Sequence, residues 1–324
     1  MHSSPVSWII EGEAGAAPGY RKGLIALGLE RVPAKTIVSG YSPGSQWFGI
    51  NYNMNIYRGC CHGCIYCDSR SACYGVEDFD RVRIKDDALR IIRDDLRRKV
   101  KPGIVGTGAM SDPYNPFEEK LLLTRHALEL LAAYGFGASV TTKSPLITRD
   151  IDLLREIGEQ SPILCMVTVT TPDDRLAALI EPHAPPPSQR LQAVKELSQA
   201  GVFAGVLLNP VLPFLTDSEE NLLAMVQAVK ETGARFLYGS LGMTLRMNQR
   251  DYYYQKLEER FPGLADRYRR TYGDRYWCAI PSEKKQRGLF ARECDRLGLL
   301  YRMEDIIAAS RAGYGSQQLS FFQE

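Results

Sequence analysis

Tyr57-Arg-Gly-Cys-Cys-His-Gly-Cys-Ile-Tyr-Cys-Asp68 is the stretch that decides the fold and the chemistry of this chain. Cys60, Cys64 and Cys67 form a C-x3-C-x2-C run, with Gly59 just before it and Gly63 inside it. Three thiolates this close on a glycine-loosened loop can wrap one face of a cuboidal iron–sulfur cluster. A [4Fe–4S] cluster usually takes four cysteines, so three ligands leave one iron open for chemistry. Zinc is an alternative, but structural zinc wants four ligands, usually as two separated pairs. His62 lies inside the loop, and no second C-x2-C pair follows downstream. A disulfide framework is another alternative, but eight cysteines in 324 residues do not make a disulfide-dense mini-protein. Buried inert cysteines are the bland reading. The register Cys61-x2-Cys64-x2-Cys67 also satisfies the spacing; Cys60 is preferred because it directly follows Arg58-Gly59.

With 44% apolar residues, 324 positions suffice for a large core, as one α/β domain or one domain with extensions. The net charge of +2 makes the whole chain no electrostatic magnet. No 18-residue apolar run is present, so no membrane span is expected. Trp8-Ile9-Ile10 is too short for a signal peptide core, and a cytoplasmic location is expected. A reducing compartment also suits an oxygen-sensitive cluster.

The cysteine run, with the aromatic Tyr66 immediately before its last cysteine, resembles the signature of the radical S-adenosylmethionine (SAM) enzymes. Asn53–Tyr57 reads as the strand that precedes that signature in the family. The resemblance implies that the amino and carboxylate groups of SAM chelate the open iron. One electron from the reduced cluster then releases methionine and a 5′-deoxyadenosyl radical, with the protein orienting the cofactor. It also implies an electron donor such as flavodoxin or ferredoxin.

Residues 1–45 read as an N-terminal extension, small-residue rich at Glu11–Gly19. Residues 46–245 read as the core. Helices are expected over Asp86–Val100, Leu121–Tyr134, Asp152–Glu159, Ser188–Ala200 and Asp217–Glu231, with Leu122, Leu128 and Leu131 inward and Ser188 as an N-cap. Strands are expected over Gly103–Thr107, Gly137–Thr142, Ile163–Val169, Val202–Leu208 and Arg235–Ser240. With Asn53–Tyr57 these make six βα repeats, hence a parallel sheet. The arrangement resembles the partial (β/α)6 TIM-like barrel of the radical SAM type, here with N- and C-terminal extensions. Residues 246–312 read as a basic, aromatic helical region and 313–324 as a tail.

In such barrels the chemistry gathers at the C-terminal strand ends. Here those ends are polar: Gly106–Pro116, Thr141–Pro145, Thr168–Pro172 and Asn209–Pro213. One such loop is ordinary punctuation; four on the face that carries the cysteines read as a binding site. Ser111, Asp112 and nearby carbonyls suit the amine of SAM, and Lys143 suits its carboxylate as a compact point charge. Thr168 and Thr170 alternate with Val167 and Val169, face one side, and suit the ribose. Tyr66 suits the adenine, and Asn209 the same pocket. A solvated lysine and a half-exposed strand are the bland alternatives.

Trp47-Phe-Gly49, Tyr52–Cys67, Ser111–Glu118, Thr142–Asp150, Pro210–Pro213 and Ser42–Ser45 resemble the spore photoproduct lyase-like branch, over roughly residues 40–290. The lyase repairs a thymine dimer in DNA, and a cysteine after its second strand returns a hydrogen. Gly106–Asp112 contains no cysteine, so the resemblance implies radical SAM chemistry without carrying over the lyase reaction itself. Cys278 is the candidate hydrogen donor; Cys165 reads as core, and Cys73 and Cys294 as peripheral.

Residues 246–302 carry 14 Lys/Arg against 8 Asp/Glu, with interleaved aromatics at Tyr252–Tyr254, Tyr268, Tyr272 and Tyr276-Trp277. Basic charge answers phosphates, and aromatics stack on exposed bases; the bland reading is a solvated helix face. Gln318, Leu319, Phe321 and Phe322 resemble the tail motif by which bacterial polymerases and repair enzymes dock on the sliding clamp. The leading expectation is thus a radical SAM, iron–sulfur enzyme acting in DNA repair, lyase-like. A small-molecule, peptide or RNA substrate, or an iron–sulfur protein that does not cleave SAM, are the alternatives.

Overall fold

The computed structural model describes residues 29–41, 47–99 and 101–314. Ser42–Ser45, the glycine-rich Glu11–Gly19 stretch and the Gln318–Phe322 motif lie outside the described residues. Strands are β1 (Arg31–Val32), β2 (Val38–Gly40), β3 (Tyr52–Met54), β4 (Tyr57–Arg58), β5 (Arg83–Lys85), β6 (Ile104–Thr107), β7 (Gly137–Thr142), β8 (Ile163–Thr168), β9 (Ala204–Leu208), β10 (Phe236–Gly239), β11 (Gly242–Thr244) and β12 (Trp277–Ala279).

β8 and β9 are buried along their whole length, as strands covered on both faces must be. They sit inside a seven-stranded sheet of order β10-β9-β8-β7-β6-β3-β2. β3, β6, β7, β8, β9 and β10 are mutually parallel, matching the six expected βα repeats. Helices Ala88–Arg97, Leu123–Ala133, Ile151–Gln160, Pro187–Gln199 and Glu219–Glu231 alternate with them. This is an α/β fold with a partial, TIM-like barrel.

Three local expectations are corrected. The Asn53–Tyr57 strand is two pieces: β3 ends at Met54, and β4 joins a separate sheet of order β1-β5-β4. The Leu121–Tyr134 helix breaks at Leu122, whose φ is 54°. Glu118 accepts the N–H of Thr124 at 2.8 Å and so starts a fresh helix there. Leu122 is consequently half-buried, while Leu128 and Leu131 are in the core. Ser188 is not the N-cap; the helix begins at Pro187, where a missing N–H costs nothing. The Ser188 N–H and hydroxyl donate to Asp174 at 2.9 and 2.6 Å.

The described end of the N-terminal segment is woven into the core. β2 pairs antiparallel with β3. Asp95, on the Ala88–Arg97 helix, accepts the N–H groups of Ile37 and Val38 at 2.7 and 2.9 Å and the Thr36 hydroxyl at 2.9 Å.

The C-terminal aromatics are another correction. Tyr253, Tyr254, Tyr268 and Tyr272 are buried, in one cluster with Leu257, Ala265, Cys278, Ile65 and Tyr66. Tyr253 and Tyr268 meet edge-on at 5.3 Å. Tyr268 donates to the Pro213 carbonyl at 2.7 Å. They hold the C-terminal helices to the cysteine loop instead of facing solvent. Among the described residues, no helix is long and apolar enough to cross a membrane.

Candidate functional site

Long-range hydrogen bonds set the cysteine loop. The Cys60 N–H donates to Phe79 O at 2.8 Å, the Ile65 N–H to Ile180 O at 3.0 Å, and the His183 N–H to His62 O at 3.1 Å. Gly59 has φ +83°, and a Cβ there meets the Arg81 carbonyl oxygen at 2.3 Å. Gly63 has φ +68° and packs against His183.

The three thiols converge. Cys60 feels the fields of Asp112, Cys64 and Cys67, and Cys64 those of Lys143, Glu181 and Cys67. Cys61 feels Asp112 and Asp80. Burial pushes Cys60 and Cys67 up and Cys64 to about 12. Thiolates are costly in such a pocket unless a metal group neutralises them. Among the described residues, no set of three or more His, Cys, Asp or Glu closes around a single metal ion. A cubane takes its thiolates on separate irons, a set that three cysteines on one short loop could supply.

The strand ends meet the loop. Ser111 donates to Tyr57 O at 2.9 Å. Asp112 accepts the Tyr114 N–H at 2.9 Å, the Thr142 hydroxyl at 2.6 Å and the Lys143 N–H at 2.8 Å. His62 Nδ1 lies 3.5 Å from Asp112, so this carboxylate ties the ends of β6 and β7 to the cysteine loop. The Lys143 ammonium stands 5.6 Å from the Tyr66 ring centroid. Burial opposes its charge, but Cys64 and Glu181 outweigh that and raise its pKa. Among the described residues it makes no ion pair within 4 Å, so it is available to an anion. Asn209 follows β9, half-buried, and its side-chain amide has no hydrogen-bond partner among the described residues.

Glu181 and Arg190, not anticipated from sequence, brace the site. They form a fully buried ion pair at 2.6 Å. Tyr66 donates its hydroxyl to Glu181. Thr170 donates to Glu181 at 3.3 Å, and Arg190 donates to Thr168 O at 3.1 Å. Thr168, Thr170, Tyr66 and Lys143 are thereby brought together. The sequence signal was faint: two charges flanking the proline-rich Pro182–Pro187.

Two resemblance segments are bolted to each other. Arg149 pairs with Glu118 and Asp150 at 3.2 and 2.8 Å, and Tyr114 donates to Asp150 at 3.0 Å. Cys278 is wholly buried among tyrosines, with its pKa pushed to about 11 by burial. Cys165 is core, as expected, and Cys73 is exposed. Cys294 is corrected: it is fully buried in the main core with Phe290 and Leu299.

This chain belongs to the radical SAM superfamily, which it matches over residues 54–226. An uncharacterized protein of Mycobacterium tuberculosis is 32% identical over 240 residues, covering 71% of this chain and 69% of that protein. One from Methanocaldococcus jannaschii is 30% identical over 174 residues, covering 53% and 64%. Among solved structures, spore photoproduct lyase complexed with dinucleoside spore photoproduct aligns with TM-score 0.60 and 15% identity, over 84% of this chain and 80% of that chain. A mutant of that lyase with bound AdoMet and the same dinucleoside gives TM-score 0.60 and 16% identity, over 84% and 81%. At such identity the likeness is one of fold.

Proposed function

We propose that this chain holds a [4Fe–4S] cluster on Cys60, Cys64 and Cys67, cleaves SAM reductively, and acts on DNA in lesion repair. The observation that carries the cofactor reading is the seating of the cysteine loop against the ends of β6 and β7, where Ser111 donates to Tyr57 O at 2.9 Å and the Lys143 ammonium stands 5.6 Å from the Tyr66 ring centroid. With SAM bound, the cluster supplies the electron that splits the sulfonium into methionine and a 5′-deoxyadenosyl radical. The chain's own residues bind and orient. Lys143 takes the methionyl carboxylate as a point charge. Ser111 and backbone carbonyls take the amine, while Asp112 holds the Lys143 backbone in place. Thr168 and Thr170 line the ribose side, and Tyr66, steadied by Glu181, offers a flat face to adenine. Asn209 offers a free amide to the same pocket. Cys278 is the proposed hydrogen donor, a role that requires the C-terminal tyrosine cluster to open; substrate turnover undiminished in Cys278→Ala sinks it.

The DNA reading is supported by the fold's likeness to a lyase bound to a dinucleoside photoproduct. It is also supported by 14 Lys/Arg against 8 Asp/Glu in residues 246–302. The absence of a cysteine in Gly106–Asp112 sets the reaction apart from that lyase. Burial of Tyr253, Tyr254, Tyr268 and Tyr272 takes those rings away from base stacking and favours the second reading, a substrate other than DNA. The clamp-like Gln318–Phe322 tail stays a proposal; clamp binding that survives Leu319→Ala and Phe322→Ala refutes it. Reconstituted protein with dithionite and SAM is expected to yield 5′-deoxyadenosine. No product sinks the enzyme reading. Product without salt-sensitive oligonucleotide binding moves the substrate away from DNA.

A further inference from the structure

β8, β9 and β10 bury side chains on both faces. Cys165, Val167, Val206 and Leu237 pack into the main core with the helices. On the opposite face Leu164, Met166, Leu207 and Phe236 pack with Phe48 and Ile306. That face is the inner wall of the partial barrel, and the strand register crosses it in rows. Met166, Gly205 and Phe236 make one row; Thr168, Leu207 and Tyr238 make the next, towards the C-terminal strand ends. Tyr238 therefore stands two strand spacings, about 10 Å, from Thr168 on the same wall.

β10 is the edge strand of the sheet, and the short turn Trp47–Gly49 closes over its inner face. Trp47 meets the Tyr238 ring at 5.7 Å and Phe48 meets it at 5.3 Å, both edge-to-face. The turn is clamped by the last helix, Met303–Arg311. The Phe48 N–H donates to Met303 Sδ at 3.1 Å, and Arg311 donates to Gly49 O at 2.7 Å. Phe48 is held at φ 44°, which a bulky residue adopts only where its surroundings impose it. Phe48 and Phe236 are wholly buried, whereas Trp47 and Tyr238 stay half-buried. The Tyr238 hydroxyl has no hydrogen-bond partner among the described residues.

The residues proposed to hold SAM crowd the other side of the barrel mouth. Ser111 and Asp112 follow β6, Lys143 follows β7, Thr168 ends β8 and Thr170 comes just after it; Asn209 alone follows β9. The β9–β10 side is thereby left to the substrate, since both must meet at the strand ends. We infer that Tyr238, braced by Trp47 and Phe48, is the face on which a nucleobase of the substrate stacks, with its hydroxyl bonding the polar edge of that base. The inference rests on the cofactor and DNA readings above and deepens the second. Every base has a flat π-face, so a ring at this place accepts one whatever the sequence. A tyrosine adds a polar handle to its apolar body, which here has no partner inside the chain. The barrel wall thus supplies the stacking surface that the buried C-terminal tyrosines do not.

The test measures binding of the holoprotein to two labelled single strands of equal length, an oligothymidylate and its abasic counterpart, by fluorescence anisotropy. The strands share a backbone, so phosphate contacts cancel in the ratio of their affinities. The unmodified protein is expected to favour the base-bearing strand about tenfold. Tyr238→Leu, which keeps an apolar side chain against Trp47 and Phe48, is expected to erase most of that preference. Tyr276→Ser, at an exposed ring just before β12, is expected to keep it. A preference unchanged in Tyr238→Leu, or lost equally in Tyr276→Ser, overturns the inference. Equal, salt-sensitive binding of both strands by the unmodified protein also overturns it while leaving the DNA reading in place; binding of neither strand overturns both. Absence of 5′-deoxyadenosine with dithionite and SAM sinks the cofactor reading alone, and the base preference still judges Tyr238. Should Tyr238→Leu lose both strands alike, Tyr238→Phe decides. A preference reduced about threefold by the missing hydroxyl then supports the inference, and an undiminished one overturns it.

Discussion

Glu181 takes hydrogen bonds from Tyr66 and Thr170 and pairs with Arg190 where neither side chain meets solvent. Burial opposes its charge, but Arg190 and Lys143 outweigh it and hold its carboxyl below the usual range. Removing one member of a buried pair strands the other, so Glu181→Ala is expected to cost about 3–5 kcal/mol. A lowered denaturant midpoint measures this. At the cysteines, Cys60→Ala is expected to abolish bound iron and cluster absorbance, whereas Cys61→Ala retains both; the opposite pattern moves the first ligand to Cys61. The proposed roles of the cysteines and Lys143 rest on local sequence signals: a spacing, and a lone charge closing a strand. Glu181 was not, since its bond to Tyr66 spans 115 residues and no periodicity marks it.

Elements are legible where burial dictates composition. The wholly buried β8 announces itself as an apolar run, and β7 appears at its expected bounds. Boundaries set by side chains are not, such as the break at Leu122 that Glu118 enforces. The buried tyrosines carried a usable signal all the same. Tyr253 with Leu257, and Ala265 with Tyr268 and Tyr272, repeat at the three- and four-residue steps of a buried helix face. Gly59→Ala, at positive φ and against backbone, is expected to lower iron loading sharply. Gly75→Ala, also at positive φ but with open space around it, costs only about 1–2 kcal/mol of backbone strain and keeps its iron. Equal iron in both sinks the close-approach argument. The anchor of β2 is pH-sensitive. Burial raises the Asp95 pKa, but the Ile37 and Val38 N–H groups outweigh it, and the net value lies below the ordinary one. Its contribution is therefore complete above the unfolded value of about 3.9 and is lost as pH falls through the folded one. The melting-temperature gap between the unmodified protein and Asp95→Asn is expected to close below about pH 4.

Across the whole molecule, the parallel sheet and the order of its strands follow from the βα alternation, and the fold class was open to reading from the sequence. The substrate was not, because a net charge of +2 conceals the basic stretch of residues 246–302. If that stretch binds DNA, Lys284→Glu with Arg292→Glu, both exposed and free of ion pairs among the described residues, is expected to weaken oligonucleotide binding across sequences. It is also expected to flatten the salt dependence by about one unit for each phosphate the variant no longer neutralises. An unchanged slope removes those helices from the interface.

The hydrogen bonds from Ile65 to Ile180 and from His183 to His62 set a timetable for biosynthesis. The cysteines leave the ribosome early, but the walls of their pocket are more than a hundred residues behind them. A nascent chain ending before Ile180 displays the thiols without the site. If the loop holds the proposed cluster, its delivery is expected to wait until the segment through Arg190 has been translated and has folded back onto the loop.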